Sequence, residues 1–305
     1  MAKQERSVTV FLFGGLGNQL FQYFAGLAVA EAVGARLYLK PFGQTPAQAG
    51  FGAIGIEAFH LDATFISSRL PRSIQKRMLP RLINFARWFR QQNFAWKGKT
   101  LFTDELDLDE LDLSPSRNIQ LVGYFQDSKY LDFLATREKE IEFSLKNPSK
   151  WFKELQAIAD SKKPIVVHLR RGDYFDHADT IGVLDFQYFL NALKLIPHFN
   201  NPGTEFWIFS NSLSAAKDFA RFAELPESRT EIVQSPENSI DAESMLLMSF
   251  GSAIVISNST FSWWGAFLSN ETSQIVAPKK WFKTLDDPVI LNQDGWKFSE
   301  SIWVD

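Results

Sequence analysis

The stretch PIVVHLRRGDYF, residues 164–175, joins an apolar run directly to a cluster of charged residues. The run from Ile165 to Leu169 predicts a strand that is covered on both faces, because a short apolar run is typical of a buried strand in a parallel sheet. Parallel sheets bind their ligands beyond the carboxyl ends of the strands. Arg170 and Arg171 therefore belong either to an ordinary solvated turn or to a site that binds an anion.

Strands and helices are predicted to alternate on the C-terminal side of this stretch. Apolar residues recur at helical spacing after Asp185, which can cap the helix that they predict. Further strands are predicted at 205–210, 231–234, 253–257 and 274–277, and helices at 185–196, 212–222, 244–250 and after residue 261. This alternation indicates a mostly parallel sheet with helices on both faces.

The N-terminal half begins with the same kind of unit. A strand is predicted at 8–13, a helix at 18–33 that stops at Gly34, and a second strand at 36–39. A polar stretch at 144–163 contains the break Asn147-Pro148. We therefore expect an α/β protein with two domains, which span residues 1–150 and 151–305.

The bulk composition is that of an ordinary globular protein. The 305 residues are 45% hydrophobic and 22% charged, with a formal net charge of −3. This charge argues against nucleic-acid binding, which needs a basic excess. The chain has no cysteine, which excludes disulfides, thiolate metal sites and cysteine nucleophiles. Because no signal-like or membrane-spanning apolar run is present, we expect a cytoplasmic protein.

Opposite charges are segregated in the middle of the chain. Nine basic residues and no acidic one lie within 69–99, and six acidic residues lie within 104–112. The sequence permits two interpretations of the basic stretch: a solvated face, or an amphipathic segment that contacts the inner surface of a membrane. The acidic run contains Asp107-Leu-Asp109, which has the pattern of a metal-binding DxD motif but does not lie at a predicted strand end.

Three glycines, Gly14, Gly15 and Gly17, follow the first predicted strand. Glycine permits a tight turn and a close backbone approach to a ligand, and a helix that begins near Asn18 offers amide groups and a positive dipole end. The pattern is not a dinucleotide fingerprint, since Leu20 occupies the position of the third glycine, and it is not a P-loop. A turn that serves only strand-to-helix packing is the alternative.

The charged end of PIVVHLRRGDYF is a second candidate site. Adjacent side chains at a strand end point in opposite directions, so Arg170 and Arg171 reach one ligand together only if the strand stops there. One of the two arginines is therefore expected to stabilise the fold, and the other to reach the ligand. An arginine binds phosphate through two parallel hydrogen bonds, which suits a diphosphate leaving group. Asp173 is either a partner of an arginine or a proton acceptor, and His168 is either a hydrogen-bonded core residue or part of the site.

The third candidate site is SNSTFSWWGAFL, residues 257–268, which follows the predicted strand at 253–257. Hydroxyl groups and backbone amides at a strand-to-helix turn hold phosphate oxygens well. Trp263 and Trp264 predict core packing under the turn, with stacking on a sugar as the alternative. Three strand ends that suit an anion, in one α/β chain, together indicate a nucleotide diphosphate as the ligand.

These motifs resemble the alpha-1,2-fucosyltransferase family in their order and spacing. The resemblance spans residues 11–281 and is weakest between about 40 and 120. The segments that carry it are GGLGNQLFQYFAG at 14–26, VVHLRRGDY at 166–174, ISNSTFSWWGAFL at 256–268 and IVAPKKW at 275–281.

The resemblance implies an inverting glycosyltransferase with a GT-B-like pair of Rossmann-type domains that face each other across a cleft. Residues 1–150 would then form the acceptor-side domain, and 151–305 the domain that binds the donor. The implied reaction transfers L-fucose from GDP-fucose to the 2-hydroxyl of a galactose-terminated oligosaccharide or glycolipid. It needs no metal ion and no other cofactor.

The resemblance also implies roles for individual residues. Arg170 matches the first arginine of HxRRxD, which contacts the donor diphosphate, and His168 matches the histidine near the nucleoside. Asp173, and after it His168, are candidates to accept the proton of the acceptor hydroxyl, which must be lost during transfer. The other predicted substrate-binding residues are Gly15, Gly17, Asn18, Gln19, Arg171, Glu243, Asn258, Ser259, Thr260, Phe261 and Ser262.

Two departures from the family pattern concern recognition of the base. Asn211 and Ser212 stand where the family often has two aspartates, and Ser244 stands ahead of LLMS where an aspartate is common. Glu243 is the acidic residue beside Ser244. The sequence therefore defines guanine recognition less well than diphosphate binding.

Two other classes of function are open at this point. One is a transferase of the same architecture with another GDP-sugar or acceptor, because a fold alone does not fix the substrate. The other is a non-catalytic protein that binds a nucleotide or a glycan. Loss of the arginines would mark such a protein, and both arginines are present.

Overall fold

The computed structural model describes residues 6–41, 55–66, 100–102, 118–136, 143–237, 239–288 and 293–304, without the side chains of 100–102 and of Asp173. The basic stretch 69–99 and the acidic run 104–112, with Asp107-Leu-Asp109, lie outside the described residues. The chain divides into two compact units, Met1–Lys146 and Asn147–Asp305, at the Asn147-Pro148 break.

The first unit contains a parallel sheet with helices. Its elements are β1 (Ser7–Leu12), α1 (Leu16–Val33), β2 (Arg36–Pro41), a 3-10 turn (Gly55–Ala58), β3 (Thr64–Phe65), β4 (Thr100–Phe102), β5 (Ile119–Val122) and α2 (Lys129–Thr136). The described strands run parallel in the order β3-β2-β1-β5-β4. The chain thus moves outward from β1 through β2 and β3, and returns to the other side of β1 with β5.

Helix α1 is the central helix of this unit and is buried along most of its length. It begins at Leu16 rather than at the predicted Asn18, because Gly15 already takes the extended conformation of the capping position. It ends at Gly34, as predicted. The φ angle of 61° at Gly34 lies in the left-handed region, and its N–H donates to the carbonyls of Ala30 and Glu31.

The second unit has the same layered construction with a larger sheet. Its elements are α3 (Lys150–Lys162), β6 (Ile165–Leu169), a 3-10 segment (Gly172–His177), α4 (Phe186–Lys194), β7 (Phe206–Ser210), α5 (Leu213–Phe222), β8 (Thr230–Val233), α6 (Asp241–Met248), β9 (Ala253–Val255), α7 (Thr260–Phe267), β10 (Gln274–Pro278) and β11 (Lys297–Ser299). The described strands run parallel in the order β11-β10-β9-β6-β7-β8. The expected α/β class with two mostly parallel sheets is confirmed.

Hydrogen-bonding side chains define where several of these helices begin. The Asp185 carboxylate accepts a hydrogen bond from the Gln187 amide at 2.8 Å, which confirms the predicted cap of α4. The Ser212 hydroxyl caps α5 in the same way. Helix α6 begins at Asp241 and not near Ser244 as predicted, because the chain leaves its extended conformation directly after Ile240.

Strand β6 is buried on both faces of its sheet, as its apolar run predicts. Ile165, Val167 and Leu169 point into the hydrophobic core formed with α4 and α5. Since side chains alternate along a strand, His168 lies on the opposite face, where its ring contacts Phe261 of α7. The alternation thus decides which face each residue at the end of β6 serves.

No helix among the described residues has both the length and the apolar character needed to cross a membrane.

Replacing Gly26 by alanine tests how tightly α1 packs on the first sheet. A Cβ atom at position 26 would collide with Val10 Cγ2 and lie 2.9 Å from Leu37 Cδ1. We expect a net loss of about 1–3 kcal/mol in the free energy of unfolding, although alanine gains about 1 kcal/mol over glycine inside a helix. Urea unfolding measures it, with Gly203→Ala as the control because nothing lies within 4 Å of its added Cβ. Equal stability of the two variants would contradict this packing.

Candidate functional site

The second sheet has a reversal of strand order between β6 and β9. From β6 the chain continues to β7 and β8 on one side, whereas β9 leads to β10 and β11 on the other. Loops that leave two adjacent strands in opposite directions open a crevice at the carboxyl ends, where α/β proteins bind ligands. The residues that border this crevice are those after Leu169 and those after Val255.

Helix α7 begins at this crevice. Ser259 precedes it in an extended conformation, with φ of −133° and ψ of 127°, and its side chain makes no capping hydrogen bond. The geometry of any α-helix directs the first-turn amides out of its end, and the helix dipole adds partial positive charge there. The beginning of α7 is therefore suited to oxygen atoms of an anion.

Arg170 lies at the crevice beside Tyr174. Its guanidinium carbon is 5.2 Å from the centre of the Tyr174 ring, in a cation–π contact. The Tyr174 hydroxyl donates to the carbonyl of Asn258 at 3.0 Å. This hydrogen bond joins the loop that carries Arg170 to the loop that leads into α7.

Asn258 fixes the second of these loops from inside. Its side chain is 1% exposed, and Nδ2 lies 3.1–3.2 Å from the carbonyl oxygens of Ile181, Gly182 and Trp281. The side chain of Asn258 is therefore a structural brace. It supports the predicted site without facing a ligand.

Arg171 points to the other face, as strand alternation requires. Its Nη1 donates to the Leu184 carbonyl at 2.6 Å, and its guanidinium stacks over the rings of Phe186 and Phe189. Burial lowers the pKa of Arg171 to about 10, and the charge of Asp185 opposes this shift. The structure places Arg171 inside the fold and not in the crevice, so we correct its predicted role from substrate binding to support.

Asn211 holds the backbone at the same point. Its Oδ1 accepts from the Arg171 amide at 2.8 Å, and its Nδ2 donates to the Arg171 carbonyl at 2.9 Å. A carboxylate can only accept. The asparagine at this usually acidic position is thus explained by a two-way clamp on Arg171.

His168 is buried at the end of β6 with 4% of its surface exposed. Its Nδ1 lies 2.9 Å from the Ser257 hydroxyl. Burial and, secondarily, the charge of Arg170 lower the pKa of His168 to about 3. A neutral imidazole with this pKa is a poor general base at neutral pH, which argues against the predicted role of His168 as a proton acceptor.

Two other predicted residues are occupied within the fold. Glu243 is 1% exposed, and its carboxylate accepts from the amide and the hydroxyl of Ser149 at 2.6 and 2.9 Å. It therefore supports the start of α3, which corrects its predicted role in substrate binding. Ser262 is fully buried and donates to the Ser259 carbonyl at 3.1 Å, so only its backbone amide remains in the predicted role.

The tryptophan pair packs in the core, which was predicted from the sequence with stacking on a sugar as the alternative. Trp263 and Trp264 are both 0% exposed. The ring of Trp263 stacks on Phe267 with centroids 4.9 Å apart. Neither side chain is available to stack on a sugar.

Four residues of this region escaped the sequence analysis: Tyr174, Asn211 as a clamp, Ser257 and Asp241. Asp241 is the first residue of α6. Desolvation raises the pKa of Asp241, and the nearby charge of Arg170 lowers it. Its position three residues before Ser244, on the same face of a helix, could have indicated Asp241 from the sequence.

The first sheet has a corresponding reversal between β1 and β5, where the glycine turn lies. Gln19 is fully buried there; its Nε2 donates to the Gly14 carbonyl at 3.0 Å, and its Oε1 accepts from the Ile56 amide. Gly14 has a φ of 77°, so the turn uses a conformation that favours glycine. Gln19 is thus a support of the turn, in place of its predicted contact with substrate.

The remaining predicted residues of this turn differ in exposure. Gly15 is exposed and Gly17 is buried in the first turn of α1. Asn18 is half-buried, and its Oδ1 accepts from Gln126 Nε2 at 2.9 Å. Gln126 follows β5, so this pair joins the two loops at the reversal of the first sheet.

Comparison with known proteins identifies relatives along most of the chain. The model of glycosyl transferase family 11 matches residues 69–297. An alpha-1,2-colitosyltransferase from Escherichia coli is 30% identical over 284 residues, which cover 90% of this chain and 92% of the relative. The Escherichia coli O-antigen biosynthesis glycosyltransferase WbnK is 27% identical to this chain, and the matched region covers 93% of this chain and 98% of WbnK.

Solved structures share the fold at lower identity. Fucosyltransferase NodZ from Bradyrhizobium has a TM-score of 0.51 and 13% identity, over 87% of this chain and 94% of NodZ. Arabidopsis thaliana FUT1 in complex with GDP has a TM-score of 0.51 and 15% identity, over 91% of this chain and 72% of FUT1.

The buried neutral state of His168 predicts a pH dependence of stability. The folded pKa is about 3 and the ordinary value is 6.5, so the unfolded chain binds more protons between these values. The contribution of His168 to the free energy of unfolding is therefore fully present above pH 6.5 and decreases as the pH falls toward 3. Integrating the difference in bound protons between the unfolded and folded states gives a decrease of about 2 kcal/mol from pH 7 to pH 5 for this one residue.

Urea unfolding at these two pH values, on the wild type and on His168→Asn, measures that contribution. The variant should lose about 2 kcal/mol less than the wild type over this interval. His177→Asn, which changes an exposed histidine, is the control and should behave as the wild type does. The same pH dependence in all three proteins would refute a buried neutral His168.

Proposed function

The chain belongs to glycosyl transferase family 11, and on this basis we propose that it transfers L-fucose from GDP-fucose to the 2-hydroxyl of a terminal galactoside, with inversion. The chain is thus a glycosyltransferase, and the sugar and the acceptor are the proposed part. The observation that supports the proposal most is that the loop that carries Arg170 and the loop that leads into α7 leave adjacent strands at the strand reversal of the second sheet and are joined by the Tyr174–Asn258 hydrogen bond.

The donor diphosphate is proposed to lie between these two groups. Arg170 would form two parallel hydrogen bonds with phosphate oxygens, and the first-turn amides of α7 at Thr260 and Phe261 would bind from the other side. Tyr174 restricts the guanidinium through ring contact at 5.2 Å. Because the side chain is already held, little conformational freedom is lost when the ligand binds.

This arrangement suits the chemistry of sugar transfer. As the bond between fucose and phosphate breaks, negative charge develops on GDP and positive charge on the sugar ring. A fixed cation and fixed amides that face the diphosphate stabilise that charge more in the transition state than in the ground state. We therefore propose that the reaction proceeds without a metal ion, with Arg170 in the role that a divalent cation has elsewhere.

The acceptor hydroxyl loses its proton during the transfer. Asp173 remains the proposed acceptor of that proton, because it follows Arg170 closely in the chain and His168 is too weak a base. The Asn18–Gln126 pair of the first unit is proposed to contact the acceptor sugar. Its amide groups can donate to and accept from hydroxyls.

The base of the donor requires an acidic partner if it is guanine. Asp241 is our proposal for that partner, since Glu243 is occupied by Ser149 and Ser244 is not acidic. Asp241 lies near enough to Arg170 for the two charges to interact. A carboxylate there can accept hydrogen bonds from the N–H groups of guanine.

Colitose is a second candidate for the transferred sugar. The observation that favours it is the 30% identity to an alpha-1,2-colitosyltransferase. Colitose is fucose without the 3-hydroxyl group, so the two donors share every feature that Arg170 and α7 would bind. Only contacts to the 3-hydroxyl separate the two functions.

The location and the acceptor class remain predictions from the sequence. We propose a cytoplasmic enzyme that acts on a galactose-terminated oligosaccharide or glycolipid, with the basic stretch 69–99 in contact with the inner membrane surface. WbnK, a relative, is an O-antigen biosynthesis glycosyltransferase. A lipid-linked glycan acceptor would agree with both the basic stretch and this relative.

A donor competition decides between the sugars. The enzyme is given equal GDP-fucose and GDP-colitose with a panel of β-galactosides, and the products are analysed for sugar and linkage. We expect fucose in α-1,2 linkage in the major product, with the same rate when a chelator is present. Predominant transfer of colitose would establish the second candidate, and no transfer from either donor would reject both.

The two arginines should respond differently to truncation. Arg170→Ala is expected to lower turnover by about 100-fold or more, because one stabilising donor is lost in the transition state, and to keep the unfolding midpoint of the wild type. Arg171→Ala is expected to lose about 1–3 kcal/mol of stability, because the buried Leu184 carbonyl loses its donor and the contacts of the guanidinium with Phe186 and Phe189 are removed. Turnover assays and urea unfolding of both variants measure this, and unchanged turnover in Arg170→Ala would refute the assignment.

A further inference from the structure

A chain of buried hydrogen-bonding groups lies behind His168. Ser257 Oγ is 2.9 Å from His168 Nδ1 and 3.4 Å from Ser262 Oγ. Ser262 Oγ is in turn 3.1 Å from the Ser259 carbonyl oxygen. All four residues are at least nine-tenths buried. We call this chain, from His168 through Ser257 and Ser262 to Ser259, the hydroxyl relay.

The far end of the hydroxyl relay fixes its direction. A carbonyl oxygen only accepts, so the single hydrogen of the Ser262 hydroxyl is used toward Ser259. Ser262 Oγ can then only accept, which assigns the hydrogen of Ser257 to it. Ser257 Oγ is left as an acceptor, and the hydrogen of the 2.9 Å contact must come from His168 Nδ1.

The opposite direction satisfies fewer groups. If Ser257 donated to His168, the 3.4 Å contact between Ser257 and Ser262 would hold two oxygens with no hydrogen between them. That direction therefore forms one hydrogen bond fewer in the hydroxyl relay. The Nδ1–H form of His168 is the one that uses every contact of the hydroxyl relay.

The other ring nitrogen then carries a lone pair. A neutral imidazole has one N–H, so Nε2 is an acceptor when Nδ1 is protonated. Within the part of the chain that the structure describes, Nε2 makes no hydrogen bond. An acceptor at this position repels phosphate oxygens, which are themselves acceptors, and attracts hydroxyl and N–H groups.

We propose that Ser257 and Ser262 are positioning residues that hold His168 as the Nδ1–H tautomer, so that Nε2 accepts a hydrogen bond from a hydroxyl or N–H group of the donor's nucleoside. The part that concerns the nucleoside rests on the proposed function. The part that concerns the tautomer rests only on the contacts of the hydroxyl relay.

The surroundings keep the imidazole neutral, which this role requires. Burial and the charge of Arg170 lower the pKa of His168 to about 3. A protonated ring would have two N–H groups, and Nε2 would no longer accept. Arg170 and His168 thus divide the ligand between them: the cation binds the charged part, and the neutral ring binds a part that carries hydrogens.

The tautomer can be measured without any substrate. Protein with ¹⁵N-labelled histidine is recorded at pH 7 by long-range ¹H–¹⁵N NMR, in which protonated and unprotonated ring nitrogens resonate far apart, and His168→Asn assigns the signals. We expect protonated Nδ1 and unprotonated Nε2 in the wild type. Ser262→Ala frees the hydrogen of Ser257 to donate to Nδ1, so the Nε2–H form should increase.

His198 provides the matched control. Its Nε2 lies 3.1 Å from the Ser252 hydroxyl, at a site that shares no residue with the hydroxyl relay. Ser252→Ala should change the signals of His198 alone, and Ser262→Ala those of His168 alone. Protonated Nε2 on His168 in the wild type, or no response of His168 to Ser262→Ala, would overturn the proposed tautomer.

Calorimetric titration with GDP and with pyrophosphate tests the nucleoside contact. Ser262→Ala should weaken GDP binding by about 3- to 10-fold, the equivalent of one hydrogen bond, and leave pyrophosphate binding unchanged. Equal weakening of both ligands would overturn the nucleoside contact, because Nε2 would then face the diphosphate. If the wild type binds pyrophosphate but not GDP, the proposed donor and the nucleoside contact both fail, while the NMR result still decides the tautomer.

Discussion

The parallel pairing of β6 with β9 is the constraint on which the candidate site depends. It sets Val167 opposite Val255, so the loop that carries Arg170 leaves the sheet beside the loop that leads into α7, and the hydrogen bond from the Tyr174 hydroxyl to the Asn258 carbonyl joins the two loops. Tyr174 makes the connection, and the amide of Asn258 anchors it to three backbone carbonyls. The position of Arg170 relative to α7 therefore follows from the pairing of two strands, and Tyr174 and Asn258 hold the two loops in that position.

Charge is distributed around this connection in a consistent way. Arg171 is buried and satisfied inside the fold, and His168 is kept neutral. Arg170 is left as the cation of this strand end that borders the crevice. Beside Arg170, the described part of this site holds the neutral ring of His168 and the carboxyl of Asp241, whose pKa responds to the charge of Arg170.

The sequence predicted those features that depend on local rules. The limits of β6, the Asp185 cap and the opposite directions of the two arginines all follow from alternation and capping, and all are present. The contact between Glu243 and Ser149 joins residues 94 positions apart, and the one between Tyr174 and Asn258 joins residues 84 positions apart. No local pattern encodes such pairs, because they form only when the helices and strands pack. For this reason the motifs were found, but the division into supporting and ligand-facing residues was not.

The clamp of Asn211 on Arg171 has an evolutionary consequence. An amide satisfies both the N–H and the carbonyl of the arginine, whereas an acid at the same position satisfies only the N–H and adds a negative charge. A lineage that exchanges one for the other must at the same step find a new donor for the carbonyl and a new balance for the charge. Because the clamp binds main-chain atoms of residue 171, the arginine itself can stay, and an exchange at position 211 alone is expected to be harmful unless a neighbouring residue supplies that donor.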